Sequence, residues 1–461
     1  MPKSLEELVF DVATDESEIA RRITRLGRRS AARGRDGQLP EAYAKSVSEK
    51  DLANISAALR AGDWSFISYR ERLLPKSYDV PPRRLSVAAA KDRAPLQIMN
   101  SSLLFEAPQS RRESPNRVMK RLVESAQSSG FDHVVRLDLR NFYPSVQHDA
   151  VEQELERHIT VDALRRLLSR ALRTPTIADH APSRVETGSR GIPQGLAISN
   201  SLAELVMEEF DGSWRDDDSV RYFRYADDML FLTRRDRHQQ LHRKVRASLK
   251  LTGVEPHPFT SGGKSQWGRL RDGVEFLGYR VSPGAVSVRA SGVHRLKRSI
   301  ALSFARYSKE IASPELRVQH LAHARLAWFL NLRITGCVID KESRGWVQYY
   351  ALLTDIGILR DLDHFVSVLA SKHGLRESLG QKSFVRTYRK WAKRAIDATG
   401  YIPNFDSYKF DDKREVLSSI FGMSEQRMNE NGSVWVDREF ARRTRLHVHT
   451  LERDLTPNYG R

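Results

Sequence analysis

Residues 222–232 read YFRYADDMLFL, two adjacent aspartates set between aromatic and apolar residues. Tyr222, Phe223 and Tyr225 before the pair and Met229 to Leu232 after it favour extended chain, whereas aspartate favours turns, so the stretch reads as strand, tight turn, strand. A hairpin this apolar packs down on one face and holds its turn rigidly. Asp227 and Asp228 are then like charges in one place; each raises the other's pKa unless a cation compensates, and a divalent metal is the usual remedy. A lone Asp-Asp pair is more often a structural turn, so the argument depends on what else the chain supplies.

It supplies a third carboxylate. HVVRLDLRNFYPSV, residues 133–146, predicts a strand from Val134 to Leu139 that ends at a bend before Pro144, with Asp138 at its end. If this strand neighbours the hairpin, Asp138 and Asp227 can jointly hold two metal ions about 3.5–4 Å apart, which activates a hydroxyl and stabilises a leaving phosphate. With only oxygen ligands on offer, Mg2+ or Mn2+ suits the site.

The charge balance agrees with a phosphate-rich partner. Lys and Arg number 76 against 58 Asp and Glu, a net charge of +18 in 461 residues, which points to a polyanion, most commonly nucleic acid. RRITRLGRRSAARGR, residues 21–35, holds seven arginines and no acid, and would bind phosphates as a helix or a loose arm unless it is simply a solvated helix face. One cysteine, Cys337, excludes an internal disulfide and a zinc site built on several thiolates, and fits a reducing cytosol. The start, MPKSLEELVFDVATDE, lacks the basic and apolar regions of a secretory signal, and no apolar run approaches membrane-spanning length, so a soluble cytoplasmic protein is expected.

The length allows two to four domains. VPPRRLSVAAAKDRAP predicts a strand around Arg84 to Val87 and a helix from Asp92; an acid-rich helix is expected from His148 to Leu168. GSRGIPQGLAISNSLAELVMEEFD is a glycine-rich loop feeding an amphipathic helix, with Leu202, Leu205, Val206 and Phe210 on one face and Ser199 or Asn200 as a possible cap. VEFLGYRVSPGAVSVR reads as a hairpin through Pro283 and Gly284. From 291 onward the pattern is mostly helical, as at Leu359, Leu362, Val366 and Leu369, with Trp328, Trp346 and Trp391 beside clustered cations. Residues 432–454, GSVWVDREFARRTRLHVHTLERD, read as a hairpin with a basic edge that could bind RNA or a second subunit; His447 and His449 would share a face of a strand, but they lack partners for a metal.

LDLRNFYPSV, RGIPQGLAISNSLAEL and YADD, in that order and at these distances, resemble the catalytic region of reverse transcriptases, and the resemblance extends over roughly residues 60 to 400. It implies an α+β right-hand polymerase: fingers and palm with antiparallel sheet over residues 51–290, a helical thumb over 291–400, a basic helical arm at 1–50 and a mostly helical C-terminal extension, 401–461, of unknown role. It also assigns roles. Asp138 and Asp227 bind both metals, the main-chain carbonyl of Leu139 completes a shell, and Asp228 completes the catalytic and metal-holding set and supports the primer end. Tyr143 is the gate against a ribose 2′-hydroxyl; Gly191 to Gly195, with Gln194, approach the nascent base pair; Arg84 with Lys91 or Arg93 contact the triphosphate; Lys264 is a candidate acid for pyrophosphate. Phe276, Leu277, Gly278 and Tyr279 place the primer, and Arg295, Lys297 and Arg298 follow the duplex backbone. RGWVQYY, residues 344–350, is similar to the thumb of intron-type enzymes.

Within that family, GIPQGLAISNSLAEL is most similar to bacterial abortive-infection and defence-associated members, which implies antiphage defence with deoxynucleotides, a DNA primer or product and a structured noncoding RNA as template or partner, in some cases as an oligomer or with a second subunit. The alternatives are an intron-type maturase and an RNA-binding scaffold that no longer polymerises. An RNA polymerase fits less well, since its turn more often reads Gly-Asp-Asp and Tyr143 would oppose ribonucleotides.

Overall fold

The computed structural model describes residues 3–29, 32–75, 81–128, 130–179, 188–215, 217–392 and 400–455. It divides into two compact units, residues 1–114 with 130–269 and residues 115–129 with 270–461.

The first unit opens with four helices, α1 (Leu5–Ala13), α2 (Glu16–Arg29), α3 (Pro40–Ser46) and α4 (Glu49–Ala61). Capping boxes of Ser4 with Glu7 and Ser48 with Asp51 start α1 and α4 by satisfying N–H groups that the helix cannot. Phe10, Ile19, Ile23, Ile55 and Leu59 join the unit's main core. The arginine-rich segment is thus helical up to Arg29 and packed through its apolar face, with Arg21 and Arg22 both bonded to Glu18; Ser30 and Ala31 lie outside the described residues.

Next come β1 (Tyr69–Leu74), β2 (Arg83–Val87) and α5 (Arg93–Glu106). After α6 (Pro115–Gln127), which belongs to the second unit, follow β3 (His133–Asp138), α7 (Phe142–Ser145), α8 (His148–His158), α9 (Asp162–Arg173), β4 (Thr176–Ile177), α10 (Ser199–Val206), α11 (Glu208–Arg215), β5 (Val220–Tyr225), β6 (Asp228–Thr233), α12 (His238–Ser248) and β7 (Gln266–Arg269). A small sheet runs β2-β1-β4, and the central sheet runs β5-β6-β3-β7 with every pair antiparallel. All six residues of β6 are buried, which is why DMLFLT carries an unbroken apolar run rather than an alternation.

Two expected helices are each divided. The stretch from His148 to Leu168 breaks at Ile159–Val161, where the Glu106 carboxylate accepts from the N–H groups of Thr160 (2.6 Å) and Val161 (3.3 Å) and so begins α9. The second break, at Met207, puts Phe210 on α11. Neither Ser199 nor Asn200 caps α10: its N-cap is Ile198, and Ser199 Oγ instead accepts from Leu196 N–H (3.1 Å) and donates to the Pro193 carbonyl, bracing the loop.

In the second unit β8 (Val274–Phe276), β9 (Tyr279–Ser282) and β10 (Ala285–Val288) form a sheet in the order β10-β9-β8. Helices α13 (Ala290–Ile311) and α14 (Leu316–Thr335) follow, then a short hairpin of β11 (Cys337–Ile339) and β12 (Glu342–Arg344), then α15 (Trp346–Tyr349), α16 (Gly357–Lys372), α17 (Phe384–Ala392), α18 (Phe410–Ser419) and α19 (Glu425–Leu455). The hairpin expected over 432–454 is helix. After a kink at Gly432 (φ +75°), Val436, Phe440, Thr444, Val448 and Leu451 are buried at helical spacing, and this face outweighs the strand propensity of Val434-Trp435-Val436. His447 and His449 consequently diverge: two residues on a helix are about 200° apart. His447 packs against Phe329 (4.4 Å between ring centroids), and His449 lies beside Glu452 (3.2 Å). The three tryptophans are packing residues as well. Trp346 is 1% exposed, Trp328 borders the core of this unit, and Trp391 donates to the Thr335 carbonyl (3.1 Å).

Candidate active site

The hairpin of β5 and β6 pairs Tyr225 with Asp228, leaving Ala226 and Asp227 as its two-residue turn. Ala226 adopts φ +56°, a left-handed conformation that costs an L-residue about 1–2 kcal/mol and persists here because β6 is buried along its whole length and β5 is paired to it from Val220 to Tyr225. Strand β3 lies on the other side of β6 with Asp138 opposite Asp228. Leu139 N–H donates to the Asp227 carbonyl (2.8 Å), and His257 N–H donates to the Asp138 carbonyl (2.8 Å), so both carboxylate-bearing strand ends are tied down by main chain.

The two neighbouring aspartates have different fates. On a strand, side chains two apart share a face, and Arg136, two before Asp138, grips Asp228 with both branches of its guanidinium (Nε to Oδ1 2.8 Å, Nη2 to Oδ2 2.7 Å). Asp228 is 2% exposed, so its charge is neutralised within the chain. Asp227 has no such clamp; burial first, then Asp138, hold its carboxyl above the usual range. Asp138 is likewise pushed up by burial, although Lys264 Nζ bonds its Oδ1 (2.9 Å) and counteracts this. His257 Nε2 lies 3.4 Å from the same oxygen, and burial, then Lys264 and Arg140, keep its pKa below the ordinary histidine value.

Among the described residues no group of three or more His, Cys, Asp and Glu has metal-holding geometry. The clamp on Asp228 is consistent with that: Asp138 and Asp227 remain as the carboxylates whose negative charge is under-compensated. Two carboxylates suit Mg2+, which keeps several waters and takes its remaining oxygens from a phosphate substrate.

Tyr143 lies just past this corner. Its hydroxyl donates to Asn200 Oδ1 (2.8 Å) and accepts from Arg112 Nη2 (2.8 Å). Arg112 Nε is held in turn by Glu204 Oε1 (2.5 Å), whose other oxygen receives Arg224 Nη2 (2.7 Å), and Arg224 also bonds Asp211. Arg224 is on β5, so the Tyr143 ring is registered against the aspartate hairpin through an almost fully buried chain of ions. Despite burial, Arg224 and Arg112 keep the Glu204 carboxyl below its usual value.

The glycine loop is joined to β2 through its backbone. Gly191 (φ +102°) and Gly195 (φ +101°) take backbone conformations that L-residues avoid, and a Cβ on Gly195 would lie 3.3 Å from the Ser86 carbonyl. The Gln194 carbonyl accepts from Ser86 N–H (2.7 Å), joining the loop to β2. Arg84, Arg190 and Gln194 line a cleft of about 310 Å³. Arg84 is exposed but paired with Glu71 (2.5 Å). Lys91 lies over the Trp64 ring (4.8 Å) and donates to the Ser65 carbonyl. Arg93 is turned inward onto the carbonyls of Ala88 and Ala32, so its role as a triphosphate contact gives way to bracing the unit's N-terminal segment.

In the second unit Phe276, Leu277, Gly278 and Tyr279 are all buried. Leu277 (φ +49°) and Gly278 (φ +83°) form the turn between β8 and β9, and the Tyr349 hydroxyl donates to the Leu277 carbonyl (2.9 Å). The side chains of Phe276, Leu277 and Tyr279 are packed in the core. Arg295 is spent internally on the Leu455 carbonyl (2.8 Å). Lys297 lies over the Phe365 ring (5.4 Å), and Arg298 is exposed.

Sequence reasoning missed Arg136, Arg112, Glu204, Arg224 and His257. Arg136 carried a usable signal, two residues before Asp138 on an alternating strand. Arg112 carried none, since its partners are 31 and 92 residues away.

No curated protein matches the chain. Among solved structures, the apo telomerase from Candida tropicalis truncated from its C-terminal domain is similar at 14% identity and a TM-score of 0.37, over 49% of this chain and 55% of that one; the chain thus spans little more than half that protein's length. Residues 82–281 match the family model described as reverse transcriptase (RNA-dependent DNA polymerase). That span contains Asp138, Tyr143, Gly191 to Gly195, Asp227, Asp228 and Lys264, and the chain carries a reverse transcriptase domain.

Proposed function

We propose that the protein is an RNA-directed DNA polymerase that extends a DNA strand with deoxynucleotides at the Asp138–Asp227 corner. The observation that carries this reading is the asymmetry of the aspartates: Asp228 is clamped by both branches of the Arg136 guanidinium, whereas Asp227, held above the usual carboxylate range by burial and then by Asp138, has no such clamp, and Asp138 is met by the exposed Lys264. Bound Mg2+ or Mn2+ would activate the attacking hydroxyl and offset charge on the leaving phosphate. Asp138 and Asp227, with the Leu139 carbonyl, would hold the ions, and Asp228 would keep the hairpin in position. Lys264, already 2.9 Å from Asp138, is placed to move onto a triphosphate and deliver a proton to pyrophosphate. The Tyr143 ring, immobilised through its hydroxyl, would exclude a ribose 2′-oxygen by volume. Arg84 and Lys91 remain candidates for outer phosphate contacts, and Lys297 and Arg298 for the duplex backbone.

The template is RNA in this reading. The similarity of GIPQGLAISNSLAEL to defence-associated enzymes supports antiphage defence in the cytoplasm with a structured noncoding RNA. No helix among the described residues is long and apolar enough to cross a membrane. The test is nucleotide incorporation on an RNA template with Mg2+, followed by sequencing of nucleic acid co-purified with wild type and with Asp227→Ala. A product that is unchanged in the mutant would overturn the assignment.

A further inference from the structure

Within the second unit, α13, α14 and α19 enclose a cavity of about 270 Å³, just under the roughly 300 Å³ at which ordinary small-molecule sites begin. Three guanidiniums line it, Arg306, Arg325 and Arg333, against one lining carboxylate, Glu310. That carboxylate is shared: Arg306 Nε lies 2.9 Å and Arg325 Nη1 3.8 Å from the same oxygen. Arg333 is matched separately by Asp454 (2.6 Å) and the Ser303 hydroxyl (3.0 Å). The remaining wall is aromatic. Phe329 and His447 lie 4.4 Å apart between ring centroids, and Arg306 covers the Phe329 ring at 5.7 Å. The surplus positive charge registers on His447, whose pKa is pushed down to about 4 by burial and then by Arg306, Arg443 and Arg333. The imidazole is therefore a neutral flat surface at physiological pH.

We propose that this cavity binds a single nucleotide, its phosphate held by Arg306 and Arg325 and its base lying against Phe329 and His447. An excess of guanidinium in a partly enclosed site is relieved by an anion that accepts from several N–H groups at once, as a phosphate does. The ring pair supplies the stacking that a base, and not a bare anion, can use. The volume admits one such unit. It can come from free nucleotide or from the end of a strand, and the two sources share this chemistry.

The experiment is calorimetric titration of the full chain in EDTA, which removes metal-dependent nucleotide binding at the aspartates. The probes are adenosine 5′-monophosphate, adenosine, inorganic phosphate, and a tetranucleotide with and without a 5′-phosphate. Saturable binding of the monophosphate or the 5′-phosphorylated tetranucleotide is expected, about tenfold or more tighter than adenosine or phosphate alone. Whichever of the two binds tighter identifies the source. Arg306→Gln, at an exposed side chain whose loss leaves the helices packed, is expected to weaken binding about tenfold, and Arg325→Gln similarly. The proposal is overturned if neither phosphorylated probe saturates, if phosphate alone or adenosine binds as tightly, or if both variants bind like wild type.

Discussion

The aspartate corner of the first unit and the arginine cavity of the second are opposites in sign and alike in construction. In one, burial and then neighbouring carboxylates raise the pKa values of the half-buried Asp138 and Asp227; in the other, Arg306 and Arg325 share the carboxylate of Glu310, and burial and then nearby guanidiniums push His447 down. Several buried carboxylates are matched by cations within the chain, Asp228 by Arg136, Glu204 by Arg112 and Arg224, Asp454 by Arg333, while buried Asp92 is held by the Trp64 and Ile67 N–H groups. The contrast teaches that a charge left over in a protein that pairs its ions so thoroughly marks a place where something else is received.

The comparison breaks first on activity. Asp227→Ala should lower nucleotide incorporation by about a thousandfold, since metal-assisted charge stabilisation contributes several kcal/mol, whereas Arg306→Gln should leave incorporation in a steady-state primer-extension assay near wild type. Next is the matched pair. Arg136→Met strands the Asp228 charge among apolar side chains, with an expected loss of about 3–5 kcal/mol in urea unfolding. If the loss is under about 1 kcal/mol, like that of an exposed pair, the distinction between matched and surplus charge fails.

A smaller effect is expected on selectivity. Arg112→Ala frees the Tyr143 hydroxyl and should cut discrimination against ribonucleotides by about tenfold to a hundredfold, measured as the ratio of kcat/KM values for deoxy- and ribonucleotide. Tyr143→Phe, which loses the bonds to both Arg112 and Asn200, should lower discrimination at least as far. Smallest is the effect on the metal-free protein. The folded-state pKa of Asp227 is raised, so its contribution to stability is present below the ordinary carboxylate pKa and is lost as pH rises through the raised value. Asp227→Asn should therefore be more stable than wild type near neutrality, with the difference vanishing at acid pH and shrinking when Mg2+ is added to wild type. Equal thermal stability at every pH would show that Asp227 is not strained by its surroundings.

Much of the first unit was legible because its signals are local. Strong strand formers around Ala226–Asp227, and Asp138 at the end of another apolar run, specify the hairpin and its neighbour through period-two patterning alone. What escaped was relational. The bonds of Tyr143 to Arg112 and Asn200 connect segments far apart in the chain, and the break before α9 is made by Glu106 from another helix. The C-terminal segment was misread for a different reason: β-branched and aromatic residues at 434–436 looked like strand, yet the burial of Phe440, Thr444 and Val448 follows helical spacing. At Phe276 to Tyr279 the pattern correctly located a turn between strands, while the side chains proved to serve packing.

The Arg136–Asp228 clamp also bears on time. Small metal-dependent domains commonly fold only as their ion binds, so that loading the metal and acquiring shape are one event. Here the hairpin carries a cation of its own, two residues from Asp138 on the adjacent strand. The turn that presents Asp227 is set once, when the chain folds, and under the proposed function ions would enter and leave with each added nucleotide on a scaffold that does not wait for them. A chelator should silence this protein without unmaking it, and restoring the ion should restart it with no refolding delay.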